Sequence, residues 1–145
     1  MTNIELMDYW IKSAEEDNKT MKILYDNKLY KWCLFIAHLV VEKLLKGLYA
    51  KNNIENPYAP KIHDLLRLAE KLKLDLTEEL EEILDTITRF NINGRYEDYK
   101  NEFYKKCTEE YTTEQVNNVE EVIAWIKELL KEESEKLLLN ILMKF

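Results

Sequence analysis

The sequence predicts an all-α fold, an up-and-down bundle of four to five helices, and three observations carry that expectation. Only two Gly and two Pro occur in 145 residues, so few positions suit tight turns or sharp breaks. Leu, Lys and Glu, all good helix formers, dominate the composition. Apolar residues recur at intervals of three and four through most of the chain. The length suits one domain with one core, and no internal repeat or low-complexity linker divides it. Residues 1–145 therefore read as a single domain.

Thr2 followed by Glu5 forms a capping box that starts a helix near Asn3. Leu6, Trp10, Ala14, Met21 and Leu24 carry its stripe to about Asp26, and Asp17 stands on that stripe where the period asks for an apolar residue. A second helix runs from about Lys28 to Asn52. Its apolar residues, from Trp32 through Leu48, cover nearly the whole circumference, which marks a helix buried on more than one side. In a bundle this small, one of those sides is expected to meet a second copy of the chain. A polar line interrupts it: His38, Glu42 and Lys46 follow one another at four-residue steps.

Asn52, Asn53, Pro57 and Pro60 make the one clear loop of the first half. A short third helix spans about Asp64 to Lys73. Thr77 caps a fourth that carries Leu80, Ile83, Leu84, Ile87 and Phe90, and Gly94 is expected to end it in the left-handed conformation. Arg95 to Tyr111 mixes aromatics with charges and has little helical period. Thr112 and Gln115 form another capping box, opening a last long helix on Val116, Val119, Ile123, Ile126 and Leu130. Beyond it, residues 132–145 read as an extra apolar helical tail, expected to cover an oligomer interface.

Composition narrows the function. A formal charge of −7 gives no overall field for nucleic acid; DNA is not expected, and RNA only through a local basic patch. Cys33 and Cys107 lack metal-type spacing and read as reduced thiols of a cytoplasmic protein. No cofactor and no metal are expected. Met1 to Asp8 is acidic, unlike a leader peptide, and no apolar run reaches the ~20 residues a bilayer needs.

Four stretches together resemble the HEPN family. Ala37-His38-Leu39-Val40-Val41-Glu42-Lys43-Leu44-Leu45-Lys46-Gly47-Leu48 looks like its second-helix signature. Lys61-Ile62-His63-Asp64-Leu65 resembles its Lys-x-His-Asp-Leu element. Arg95-Tyr96 with Asp98-Tyr99 is similar to the Arg-Tyr stretch of one branch, and Trp10, Ala14 and Asp17 match the first helix. The resemblance covers roughly residues 4 to 130. It implies a helical bundle that pairs as a homodimer, here through the second helix, and that often accompanies a minimal nucleotidyltransferase, frequently in toxin–antitoxin pairs. Many members cut RNA without metal, using an Arg and a His four to six residues apart. This chain departs from that pattern: its two histidines are His38 and His63, and neither follows an Arg at that distance. The branch with Arg-Tyr generally lacks the nuclease pair as well.

The candidate binding residues each carry two readings. Asp17 needs a cationic partner, Lys43 or Arg95, either as a packing ion pair or at the rim of a polar pocket. His38, Glu42 and Lys46 form a binding strip or the polar line of a dimer seam. His63 bonds back to the preceding loop while Asp64 caps the third helix, or else it meets a ligand. Arg95, Tyr96 and Tyr99 can take a phosphate and stack a base, or pin the irregular segment to the bundle. No residue is assigned a catalytic role. The leading expectation is a homodimeric module that serves a nucleotidyltransferase and binds a nucleotide or RNA end between Arg95, Tyr96, Lys43 and Lys46. The alternative is a metal-independent ribonuclease toxin using Arg95 with His38 or His63.

Overall fold

The computed structural model describes residues 1–96 and 101–144, except for the side chains of 132–141. Among them are six helices: α1 Asn3–Asp26, α2 Tyr30–Asn52, α3 Leu65–Lys71, α4 Glu78–Arg95, α5 Glu102–Lys106 and α6 Glu109–Met143. The short α5 lies in the segment where the sequence shows little period, and it takes the helix count one beyond the expected range.

Helix α2 is the spine. Leu34, Ala37, Val41, Leu45 and Leu48 are fully buried, and α1, α6, α4 and α3 all pack against it. Its apolar circumference thus finds neighbours mostly within its own chain. One strip stays open, with Trp32 46% exposed and Ile36, Leu39 and Lys43 partly so.

The expected caps of α1, α3 and α4 are present: Thr2, Asp64 and Thr77 accept backbone N–H groups from Glu5, Leu66 and Leu80. Three local expectations need correction. Helix α2 begins at Tyr30 rather than Lys28, because Lys28 takes a left-handed conformation (φ 61°). The Leu29 N–H reaches the Leu24 carbonyl and the Lys28 N–H that of Tyr25, a Schellman closure built on lysine instead of glycine. Lys73 (φ 58°) closes α3 in the same way.

Gly94 does not terminate α4 by a left-handed turn, since no glycine has positive φ. The helix runs through Arg95, and Gly94 is small for a packing reason: a Cβ there would stand 2.8 Å from Cδ2 of Phe35. Thr112 and Gln115 do not cap α6. They are buried inside it, and the Thr108 hydroxyl accepts the Tyr111 N–H one turn earlier. Helix α6 is one unbroken element, and the tail from residue 132 lies within it as far as Met143.

Cys33 and Cys107 are buried and free. Burial pushes their thiols up to about 12 and about 11, which suits packing rather than reactivity. Among the described residues no helix is long and apolar enough to cross a membrane, and no cluster of His, Cys, Asp or Glu is arranged to hold a metal ion.

Candidate functional site

The four-residue steps of α2 place His38, Glu42 and Lys46 on one face, turned inward, at 0%, 5% and 9% exposure. Burying a carboxylate and an ammonium is costly unless both are paired, and the chain supplies partners from three other elements. His63, just before α3, donates Nδ1–H to Glu42 Oε1 at 2.7 Å. Lys46 Nζ reaches Glu42 Oε2 at 3.4 Å and lies 5.4 Å from the centre of the Trp10 ring of α1. Asn91 of α4 brings its amide to 3.4 Å from His38 Nδ1.

His38 is the innermost member. Its Nε2–H donates to the His63 carbonyl at 2.8 Å, so Nδ1 is the nitrogen left to accept from Asn91. Burial lowers its pKa, outweighing the attraction of Glu42 for a proton. The ring is therefore held neutral, and it fastens the loop before α3 to the spine.

His63 is in a different position. Its side chain is half exposed, while its Nδ1 is tied to the buried Glu42. With the proton held on Nδ1, the lone pair of the neutral ring is on Nε2, the arrangement a carboxylate imposes on a proton-accepting imidazole. The expectation that His63 bonds back to its own loop is thus corrected: its ring crosses to α2, and its carbonyl serves His38.

Asp17 is answered by Lys43, not Arg95: Lys43 Nζ meets Asp17 Oδ2 at 2.5 Å, with both side chains about one-fifth exposed (21% and 22%). Arg95 and Tyr96 lie at the C-terminal end of α4, both exposed. No hydrogen bond or ion pair among the described residues joins either of them to Lys43 or Lys46. Tyr99 lies outside the described residues, as does Asp98.

Sequence reasoning passed over four participants. Trp10 and Asn91 complete the buried cluster; Asn91 is detectable as a polar residue on the inner face of α4 between Ile87 and Gly94. Trp32 and Phe35 form an edge-to-face pair, ring centres 6.0 Å apart, at the start of α2. Because Gly94 packs on Phe35, this pair neighbours the turn bearing Arg95 and Tyr96, with Lys31 Nζ 5.1 Å from the Trp32 ring centre. Pairing across helices is invisible to the period of either one alone.

The arrangement can do two things. The inner cluster fixes the α2–α3 connection and places one imidazole at the surface, while the α4 end presents an exposed arginine and tyrosine. Comparisons place the whole in context. The crystal structure of ST0689, an archaeal HEPN homologue, superposes with a TM-score of 0.60 and 23% sequence identity, covering 85% of this chain and 96% of that one. Among curated proteins the chain finds no match. The family model described as HEPN domain matches residues 7–129, which takes in most of α1, all of α2 to α5 and most of α6, and the chain accordingly belongs to the HEPN family.

Proposed function

We propose that this protein is a homodimeric, non-catalytic HEPN module that partners a minimal nucleotidyltransferase and holds a nucleotide or RNA end at the Arg95–Tyr96 turn. The ligand reading rests on one observation. An exposed arginine and tyrosine follow directly on Gly94, whose backbone packs against Phe35 of the Trp32–Phe35 pair. A planar cation takes a phosphate in two hydrogen bonds while neighbouring rings stack on a base. Lys43 and Lys46 are each engaged by a carboxylate elsewhere along α2, so in this reading they take no part in the site and Arg95 meets the phosphate.

The open strip on α2 supports the homodimer. Trp32, Ile36 and Leu39 are apolar groups at helical spacing left without full cover. The nucleotidyltransferase partner and the absence of catalysis rest on the Arg-Tyr resemblance and on the lack of an Arg–His pair at nuclease spacing. Calorimetric titration with ATP tests the ligand. Arg95→Ala and Tyr96→Ala are each expected to weaken binding about tenfold without altering the melting curve. Equal binding by the variants, or none by either, removes the claim.

A second reading, the metal-independent ribonuclease, is favoured by the Glu42–His63 contact. A carboxylate-held imidazole is suited to accept a proton from a 2′-hydroxyl. Purified protein incubated with RNA in EDTA separates the two readings. Cleavage abolished by both His63→Ala and Arg95→Ala decides for the nuclease.

A further inference from the structure

Residues 53 to 64, between α2 and α3, contain no helix and are fastened to the spine at both ends. At the first end the Asn53 backbone N–H and its side-chain amide both donate to the Tyr49 carbonyl. At the second, two α2 side chains hold a single residue: His38 donates to the His63 carbonyl, and Glu42 accepts from the His63 ring. Helix α3 has ties of its own beyond that point, since Asp64 caps its first turn and Thr88 of α4 accepts the Leu65 N–H.

The second fastening holds more base than acid. Around His38 stand Glu42 and Lys46 of α2, His63 ahead of α3 and Asn91 of α4, while α1 brings the uncharged Trp10 ring against Lys46. One carboxylate thus stands among three bases. Glu42 Oε1 lies 2.7 Å from His63 Nδ1 and 3.9 Å from His38 Nε2, and Oε2 lies 3.4 Å from Lys46 Nζ. A proton on His38 Nδ1 adds a positive charge beside Lys46 and turns an acceptor into a donor facing the Asn91 amide. A buried charge of that kind needs a carboxylate, and Glu42 is within reach. Of the three bases His63 is the one that can leave, because its side chain is 54% exposed while His38 and Lys46 are buried.

We propose that His38, Glu42 and His63 form a proton-operated latch: acid transfers Glu42 from His63 to His38, and residues 53–63 open ahead of α3 while the bundle stays folded. The exchange makes and breaks only hydrogen bonds. In the closed form His38 Nε2–H donates to the His63 carbonyl and His63 Nδ1–H to Glu42. In the open form the charged His38 ring donates to Glu42, and the His63 carbonyl and ring pass to water. Burial, the His63 ring and Lys46 all oppose a proton on closed His38. The open form takes it up more readily, so falling pH shifts the population toward opening.

Hydrogen exchange of the whole protein, read by mass spectrometry with labelling times scaled for intrinsic amide rates, tests the latch. As the pH falls from about 8 to about 5, the span in which imidazoles charge, peptides from residues 53–63 are expected to exchange about tenfold faster. Those of α6 keep their rates. His38→Gln retains an N–H for the His63 carbonyl but takes no proton, and abolishes the rise; its melting temperature at neutral pH shows whether it packs. His63→Gln, at an exposed position, keeps a donor for Glu42 without the charge and reduces the rise, which decides the matter where His38→Gln does not fold. No rise in the unaltered protein, an equal rise in α6, or an undiminished rise in either variant that folds overturns the proposal.

Discussion

Glu42, buried in the central helix, holds the ring of His63 from the start of α3 through an N–H···O bond of 2.7 Å. The same carboxylate neutralises Lys46 one turn along. One acid therefore serves two bases from two elements, and losing it strands a buried cation.

Glu42→Ala is expected to cost about 3 kcal/mol of folding stability, because breaking one partner out of a buried pair leaves the other charge uncompensated. His63→Ala costs less, about 1 kcal/mol, since its ring is half exposed. Urea unfolding measures both, and a Glu42→Ala loss no larger than that of His63→Ala contradicts the shared-acid account.

Acid should weaken the fold through His38. Its pKa lies below the ordinary 6.5 in the folded chain, so below pH 6.5 the unfolded chain binds a proton that the native one refuses. Stability is then flat above the ordinary value and declines as the pH falls from it toward the depressed one. Subtracting the stability–pH curve of His38→Gln from that of the unaltered protein isolates this slope; parallel curves would show that His38 does not contribute it.

Gly94→Ala improves helix propensity by about 1 kcal/mol yet should destabilise the protein by about 1–3 kcal/mol net through overpacking against Phe35, whose Cδ2 would lie 2.8 Å from the new carbon. Adding Phe35→Leu should recover part of the loss. A melting temperature raised by Gly94→Ala alone would contradict the close packing.

The Asp17–Lys43 pair is geometrically tight but partly solvated. A double-mutant cycle with Asp17→Asn and Lys43→Met should return a coupling of about 1 kcal/mol or less, reduced by salt.

These residues also show what was legible in the sequence. The helices α1 to α4 could be read from periodicity, and α1, α3 and α4 announce their starts through the local caps Thr2, Asp64 and Thr77. That Asp17 must find a cation was readable too, from an acid on an apolar stripe, but the choice of Lys43 over Arg95 depends on how α1 packs on α2. The helix ends at Lys28 and Lys73 were not: a lysine takes the left-handed position that usually calls for glycine, and nothing in the local pattern announces it. Gly94 misled for the converse reason, its smallness answering to Phe35, which lies 59 positions earlier in the chain. The cluster of His38, Glu42, Lys46 and His63 was visible as a polar line and a separate loop histidine. Their union depends on how α2 and the α3 connection pack, a long-range fact.

Helix α2 is a spine covered by its own chain except along Trp32, Ile36 and Leu39, the strip proposed to meet a second copy. Sedimentation equilibrium of the unaltered protein and of Leu39→Glu is the direct test. The expected result is a dimer that Leu39→Glu converts to a monomer with its helical content intact. A protein that sediments as a monomer at every concentration, or a dimer untouched by charge at position 39, would contradict it.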